Sequence, residues 1–259
     1  MRRRHRRPIL ESMTYLLLYL AYATGLLIVL SSRGVTSRVA VPGVQIPVTS
    51  KVLIVGATGG TGRALVLQAL ARQLQVTALV REPARLGFTH PSLTMIRGDV
   101  RSLATVQAAV RGQDAVICAL GHRRFFYPTR ILSVGTRNLL RAMEAHGVRR
   151  FVCQTSLGIG SSAGRMGLYY TLFVIPVVLP FYFWDKSRQE RLIADSKAEW
   201  VIVRPVALTH AAATGQCRHG FDIGSLMLTR RIARDDVARF MLDQLSSNQY
   251  LFRAVGVSA

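Results

Sequence analysis

The sequence is poor in lysine and in acidic residues. Only three of its 34 basic side chains are lysines, and 13 acidic side chains leave a formal net charge of +21. Such a charge favours anionic partners: nucleic acid, an acidic lipid surface or a phosphorylated small molecule. No zinc-finger spacing, helix-turn-helix pattern or aromatic RNA-binding signature accompanies it, so no nucleic acid is expected as a partner. Because an arginine bias is also typical of some genomic base compositions, the charge alone does not define a ligand.

Cysteine is scarce as well. Cys118, Cys153 and Cys217 show no C-x-x-C spacing, and two of them lie in apolar runs typical of strands. This pattern excludes a disulfide framework, predicts buried thiols and predicts no metal site. With 259 residues, half of them hydrophobic, the chain is neither disordered nor a polytopic membrane protein. One α/β domain with an appendage fits this length.

The N-terminal part combines a basic cluster with an apolar run. Residues 1–12 form a basic segment with five arginines among the first seven residues, and residues 14–30 carry no charge. We predict a transmembrane anchor over 13–31 and a linker over 32–50. A cleaved signal, an organellar presequence and a mis-assigned start are the alternatives. The expected localisation is the membrane, single-pass or membrane-associated, with membrane lipid as a partner.

From residue 51 to residue 259 short β-branched runs alternate with longer helix-like stretches. This alternation predicts the Rossmann-type α/β class, a doubly wound parallel sheet with helices on both faces. An apolar insertion over 167–184 breaks the rhythm, either as a buried, substrate-lining lobe or as a surface that docks on a membrane or a membrane partner. The predicted strands are 52–56, 75–80, 93–97, 114–119, 150–154 and 200–204, and the predicted helices are 61–73, 102–111, 130–147 and 185–196.

A glycine-rich turn, GATGGTG, follows the first predicted strand and precedes helix-favouring residues. Gly56 permits a tight turn, Gly59 lets backbone amides approach a pyrophosphate, and Gly62 allows the helix to pack closely on the strand. The phosphates then lie at a helix N-terminus, where free N–H groups favour negative charge. The motif therefore predicts a dinucleotide site, made by Gly56, Thr58, Gly59, Gly60, Thr61 and Gly62.

Arginine follows the second predicted strand, where folds that prefer NAD place an acidic residue. Arg81 and Arg85 suit a 2′-phosphate, so NADP(H) is the expected cofactor. Arg63 either adds to this site or is a solvated residue of the first helical turn. We expect the other cofactor contacts where further strands end, at Asp99, Val100, Ala119, Leu120, Gly121, Thr155 and Pro205.

Residues 51–255 resemble the atypical short-chain dehydrogenase/reductases with an NAD(P)-binding NmrA-like domain, and within them the flavin reductase/biliverdin-IXβ reductase group. The resemblance implies a Rossmann-type fold with NADPH and reduction of a flavin, quinone or tetrapyrrole-like acceptor. It rests on GATGGTG (56–62), LVREPARL (79–86), GDV (98–100), GQDAVICALG (112–121), the run PTRILSVGTRNLLRAMEAHGVRRFVCQTS (128–156) and DVARFML (236–242).

The resemblance implies three candidate catalytic residues. Ser156 matches the serine that orients substrate at the end of the fifth strand. Tyr182 and Lys186 satisfy Y-x-x-x-K, in which a helix places phenol and ammonium one turn apart for proton transfer. Many atypical members instead keep a Lys-x-x-x-Glu helix, here Lys186 and Glu190, and Lys186 is also expected to contact the nicotinamide ribose. The flavin and biliverdin reductases carry histidines at these two positions, which leaves the acceptor open.

Two functions fit these sequence features. One is a membrane-anchored NADPH-dependent oxidoreductase that reduces a small hydrophobic acceptor. The other is a non-catalytic NADPH-binding accessory or assembly subunit of a membrane protein complex, respiratory or photosynthetic. An anchor with its basic end inside would place the domain away from the NADPH of the cytoplasm, yet we expect the cofactor side to face the cytoplasm. His122 and His210 lie in predicted loops, and we expect them either at the mouth of the cofactor site near the nicotinamide or in solvent.

Overall fold

The strands among the described residues form one eight-stranded sheet and one two-stranded sheet. The computed structural model describes residues 6–30, 35, 48–122, 125 and 128–259. The strands are β1 Lys51–Val55, β2 Gln75–Val80, β3 Leu93–Arg97, β4 Ala115–Cys118, β5 Arg150–Gln154, β6 Glu199–Pro205, β7 Ala207–Thr209, β8 Arg218–Gly220, β9 Arg231–Ala233 and β10 Arg253–Ser258. The order in the large sheet is β3-β2-β1-β4-β5-β6-β10-β8, with β7 and β9 paired separately.

Helices cover both faces of the large sheet. The helices are α1 Arg6–Leu30, α2 Gly60–Ala71, α3 Leu103–Val110, α4 Ile131–His146, α5 Pro180–Ala194 and α6 Arg234–Asp243. α2 packs with α6, while α4 packs with both α3 and α5. The predicted Rossmann-type doubly wound sheet is confirmed. α5 begins five residues before its predicted start, because Pro180 fits the first helical position, where no backbone N–H is needed.

The strand order places a crevice beside β1. β1 pairs in parallel with β2 on one side and with β4 on the other, so the connections leave in opposite directions from this point. Because helices cover both faces, the central strands read as continuous apolar runs rather than alternating ones, and Val52–Val55 are at most 1% exposed. Ligands in open α/β sheets bind where the strand order reverses, outside the carboxyl ends of the strands.

The predicted membrane anchor and membrane localisation need correction. α1 starts at Arg6, ahead of the predicted anchor over 13–31. It packs against residues 170–178. Gly25 is buried at this contact, and a Cβ at this position would collide with the carbonyl of Pro176. Among the helices of the described residues, none combines the length and the apolar character that a bilayer crossing requires. The membrane localisation predicted from this segment, with its cofactor side in the cytoplasm, is therefore wrong.

The apolar insertion is not one straight helix. Tyr170–Val178 forms a π-helical segment that contains Pro176, and α5 begins two residues later. Ile175 and Pro176 are buried against the domain, whereas Tyr169 and Phe173 are exposed. The segment therefore contributes both to the core and to the surface. Most of the predicted linker over 32–50 lies outside the described residues, and the predicted domain bounds stay predictions.

Candidate functional site

The glycine-rich turn closes on itself as its sequence predicts. Gly56 adopts φ +87°, a left-handed value that suits glycine, and its carbonyl accepts a hydrogen bond from the amide of Gly59 at 2.9 Å. A Cβ on Gly56 would lie 2.5 Å from the carbonyl oxygen of Ala119. A Cβ on Gly62 would collide with the carbonyl of Gly56. The turn thus leaves bare backbone at the N-terminus of α2, where N–H groups are available to an anion.

A cleft of about 640 Å³ opens over this turn at the carboxyl edge of the sheet. It brings together the end of β1, the ends of β2 and β4, and the first turn of α5. Most of the predicted cofactor residues and one predicted catalytic residue line it. These residues are Gly56, Thr58, Gly59, Gly60, Thr61, Arg81, Arg85, Asp99, Val100, Ala119, Leu120, Gly121 and Tyr182.

The charge of Asp99 is compensated within the cleft. The Nε of Arg101 donates to both carboxylate oxygens of Asp99 at 3.1 Å, and its Nη2 donates to Oδ2 at 2.7 Å. These hydrogen bonds hold the pKa of Asp99 below its ordinary value. Asp99 therefore does not offset the positive charges of Arg81 and Arg85, two exposed arginines that follow β2. This end of the cleft suits a ligand with an additional phosphate.

Arg63 does not line the cleft, although it supports one of its walls. Its guanidinium donates to the carbonyl of Leu86 and lies over the ring of Phe88, with 5.3 Å between the guanidinium carbon and the ring centroid. Both contacts are in the loop that carries Arg85. Arg63 thus holds this loop against α2, a role that differs from either alternative predicted for it.

Lys186 lies beneath the cleft rather than in its wall. Its buried Nζ donates to the carbonyl of Gln154 at 2.9 Å and to that of Leu120 at 3.3 Å. The same Nζ lies 5.6 Å from the ring centroid of Tyr182. Lys186 therefore joins the ends of β4 and β5 and places a positive charge beside Tyr182, one turn earlier on α5.

A buried ion pair joins α5 to β6, one helical turn after Lys186. Arg204 donates to Glu190 through Nε at 2.9 Å and through Nη2 at 2.5 Å, and both side chains are at most 2% exposed. Thr155 donates to the same carboxylate at 2.6 Å, and Arg204 also reaches Ser161. Thr155 and Glu190 are thus committed to holding α5 against β5 and β6. Pro205, the last residue of β6, also lies outside the cleft wall.

Ser156 and Tyr182 differ in their access to the cleft. Ser156 is half-buried and is not part of the cleft wall. Tyr182 is in the wall, and its ring meets that of His122 edge-on at 5.0 Å. Its hydroxyl lies close to Gly121, 3.6 Å from where a Cβ on that residue would stand. The geometry favours Tyr182 over Ser156 as the hydroxyl that reaches a ligand beside Gly121.

Sequence reasoning missed several residues of the cleft wall, among them Arg101, Gln154 and Arg234. His122 and His210 also line the cleft. Arg101 directly follows the Gly-Asp-Val motif, so that motif gave a usable signal. Nothing in the local sequence marked Arg234 as a site residue, because its place in the cleft depends on the packing of α6 beside α2. The Oε1 of Gln154 and the Nη1 of Arg234 are buried without a hydrogen-bond partner among the described residues. Two orphaned polar atoms in one cleft fit a site shaped for a polar ligand.

The bare turn, the arginine pair and the orphaned polar groups agree with the comparison against known families. Residues 56–248 match a family model described as NAD(P)H-binding. The chain belongs to this NAD(P)H-binding family. The Arabidopsis thaliana chloroplastic protein At2g34460 is 34% identical to it over 224 residues, which cover 82% of this chain and 77% of the relative. The predicted pyridine nucleotide cofactor is confirmed at the level of the family.

Solved structures share the fold of this NAD(P)H-binding protein. A short-chain dehydrogenase/reductase from Veillonella parvula, solved in complex with NADP, superposes with a TM-score of 0.66 at 17% identity, covering 82% of this chain and 95% of that one. ChuY, an anaerobillin reductase from Escherichia coli O157:H7, gives a TM-score of 0.64 at 23% identity, covering 80% and 96%. At these identities the likeness establishes the fold, which this chain shares with both reductases.

Proposed function

We propose that this protein is an NADPH-dependent reductase whose acceptor binds beside Tyr182. One observation supports this most strongly: a single cleft holds the bare phosphate-binding turn and two arginines at one end and a tyrosine hydroxyl at the other. A dinucleotide needs such groups in one cleft, since it carries both phosphates and a nicotinamide.

Cofactor binding rests on the turn and on the arginines that follow β2. The amides at the start of α2 would hold the diphosphate, since the missing side chain at Gly59 leaves them accessible. Arg81 and Arg85 would hold the 2′-phosphate, which selects NADPH over NADH. Asp99 does not oppose this, because Arg101 already neutralises it.

Bound NADPH supplies the hydride, and the chain must supply a proton and the right geometry. The hydroxyl of Tyr182 would donate that proton to the acceptor atom that gains negative charge as the hydride arrives. Lys186 is a positioning residue: it fixes the carbonyls of Leu120 and Gln154 that shape the floor. Its ammonium, 5.6 Å from the Tyr182 ring centroid, offsets the negative charge left on the phenol oxygen.

The mouth of the cleft favours a hydrophobic, planar acceptor. His122 and Phe125 pack edge-on against the Tyr182 ring, at 5.0 and 5.8 Å between centroids. Leu208 adds an aliphatic surface to the same wall. Rings arranged in this way bind flat conjugated molecules through their faces and edges. A flavin, a quinone or a tetrapyrrole-like pigment fits this description.

The proposal is tested by following NADPH oxidation with a flavin and with a quinone. We expect turnover in the wild type and a loss of kcat of roughly 10²- to 10⁴-fold in Tyr182→Phe, with NADPH affinity retained. Tyr169→Phe is the matched control, because Tyr169 is 65% exposed and lies outside the cleft. Equal rates in the two variants would remove Tyr182 from the chemistry, and NADPH binding without any turnover would contradict a reductase.

A second candidate function is a non-catalytic accessory subunit that binds NADPH and docks on another protein. The observation that favours it is an exposed apolar surface that includes Tyr169, Phe173 and residues 226–228. Soluble monomers rarely expose apolar patches of this kind without a partner. This candidate predicts stable NADPH binding, no NADPH oxidation with any acceptor, and co-purification with a specific protein through this surface.

A further inference from the structure

Arg234 crosses the cleft from a part of the chain that carries none of the other cofactor-binding motifs. It is the first residue of α6, directly after β9, and α6 packs beside α2 on the same face of the sheet. Its side chain lies over Gly60, the first residue of α2: a Cβ on Gly60 would stand 2.6 Å from the Nε of Arg234 and 3.5 Å from the Cε1 of His210. The absence of a side chain at position 60 is what gives the arginine room.

Within the described part of the chain, no other group pairs with the guanidinium of Arg234. Its Nη1 is buried and makes no hydrogen bond, and none of the carboxylates among the described residues pairs with it. Partial burial lowers the pKa of this guanidinium, because desolvation disfavours its charged form. A buried polar group left unpaired costs free energy, so the arrangement is unfavourable until an anion arrives. By contrast, Arg239, five residues later on α6, is exposed and reaches only the carbonyl of Gly215 at 3.4 Å.

We propose that Arg234 binds the diphosphate of the dinucleotide from the side opposite to the α2 amides, so that the C-terminal part of the chain closes the site. Its guanidinium lies beside the first residue of α2, next to the place where a diphosphate at this helix N-terminus would bind. The inference rests on the proposed NADPH binding and adds a second source of counter-charge to it. Arg234 would thus determine affinity for every pyridine nucleotide, whereas Arg81 and Arg85 would determine the choice between NADPH and NADH.

Calorimetric titration of the full chain with NADPH and with NADH tests this assignment. Arg234→Gln should weaken both nucleotides by a similar factor of roughly 10 to 100, the size expected for loss of a charge-assisted hydrogen bond. Arg234→Lys should recover part of the affinity, since it restores the charge without the planar fork. Arg239→Gln is the matched control on the same helix and should bind both nucleotides as the wild type does.

Gly60→Ala provides a second, independent route to the same loss. The new methyl group would occupy the place of the Arg234 side chain, while the amide of residue 60 remains and the helix gains an alanine. We expect Gly60→Ala to weaken both nucleotides, and the double variant Gly60→Ala/Arg234→Gln to be no weaker than Arg234→Gln alone. Unbound Arg234→Gln should melt at or above the wild-type temperature, because it removes an unpaired cation.

The outcomes separate this inference from the proposed function. If the wild type binds NADPH and the affinities of Arg234→Gln for both nucleotides stay within two-fold of the wild-type values, only the role of Arg234 is overturned. Unchanged nucleotide affinity together with a raised KM for the acceptor would also overturn it and would place the arginine on the substrate. If the wild type binds neither nucleotide, the proposed function itself fails. A loss confined to NADPH would assign Arg234 to the 2′-phosphate and contradict the diphosphate contact.

Discussion

Glu190→Gln gives the sharpest test of how the floor of the cleft is held. The substitution keeps the size of the side chain but removes the charge that faces Arg204, at 2.5 Å between Oε2 and Nη2, and leaves the guanidinium buried without a counter-charge. Removing one partner of a buried ion pair costs about 3–5 kcal/mol of unfolding free energy. For a domain of this size 1 kcal/mol corresponds to about 2–4 °C in Tm, so we expect a fall of roughly 6–20 °C.

The assay is thermal unfolding followed by circular dichroism, with urea unfolding for the free energy. Glu144→Gln is the matched control, because Glu144 pairs with Lys197 at 2.9 Å on the exposed surface and should give no measurable change in Tm. The double variant Glu190→Gln/Arg204→Met should recover most of the loss, since it removes both charges from the interior. NADPH affinity at low temperature should stay near that of the wild type, because neither residue lines the cleft. A Tm for Glu190→Gln equal to that of Glu144→Gln would refute the reasoning.

Three further predictions concern the turn, the arginines and a thiol. Gly62→Ala should destabilise the domain and weaken NADPH binding, because its Cβ would collide with the carbonyl of Gly56; melting and calorimetry check both effects. Arg81→Gln/Arg85→Gln should weaken NADPH roughly 10- to 100-fold and leave NADH unchanged, and equal losses would contradict a 2′-phosphate site. Burial raises the pKa of Cys217 to about 11, so iodoacetamide should label it far more slowly at pH 8 than it labels a free thiol. Because the folded thiol titrates above its ordinary value of 9.0, its contribution to stability is complete below about pH 9 and is lost as the pH rises towards 11, which Cys217→Ser should abolish.

The N-terminal prediction failed for a reason that the sequence could not reveal. A run of uncharged residues at 14–30 satisfies the length of a membrane span, and nothing in the local pattern distinguishes a bilayer from an apolar protein surface. Only the structure shows that α1 contacts a second apolar segment, 170–178, which lies about 150 residues away in the sequence and buries Gly25. Contacts of this range are set by tertiary packing, not by local hydropathy.

The catalytic predictions illustrate the same limit on a smaller scale. The spacing of Tyr182 and Lys186 predicts neighbours on a helix, and the structure places both on α5. Spacing could not show that the ammonium of Lys186 points beneath the cleft to two backbone carbonyls, or that Glu190 is occupied by Arg204 from β6. Side chains from different elements compete for the same groups, and only their packing decides which contacts form.

The sequence by itself determined the first six strands of the sheet, the glycine turn and the arginines that follow β2. These depend on local properties: β-branched runs make strands, glycine alone permits the backbone at residue 56, and residues at strand ends meet at one edge of a parallel sheet. Tertiary structure alone decided that Arg234 reaches the same cleft from the far end of the chain and that α1 lies against the 170–178 segment. Both depend on how helices pack across the sheet, which is a property of the whole fold and leaves no periodic trace in the residues concerned.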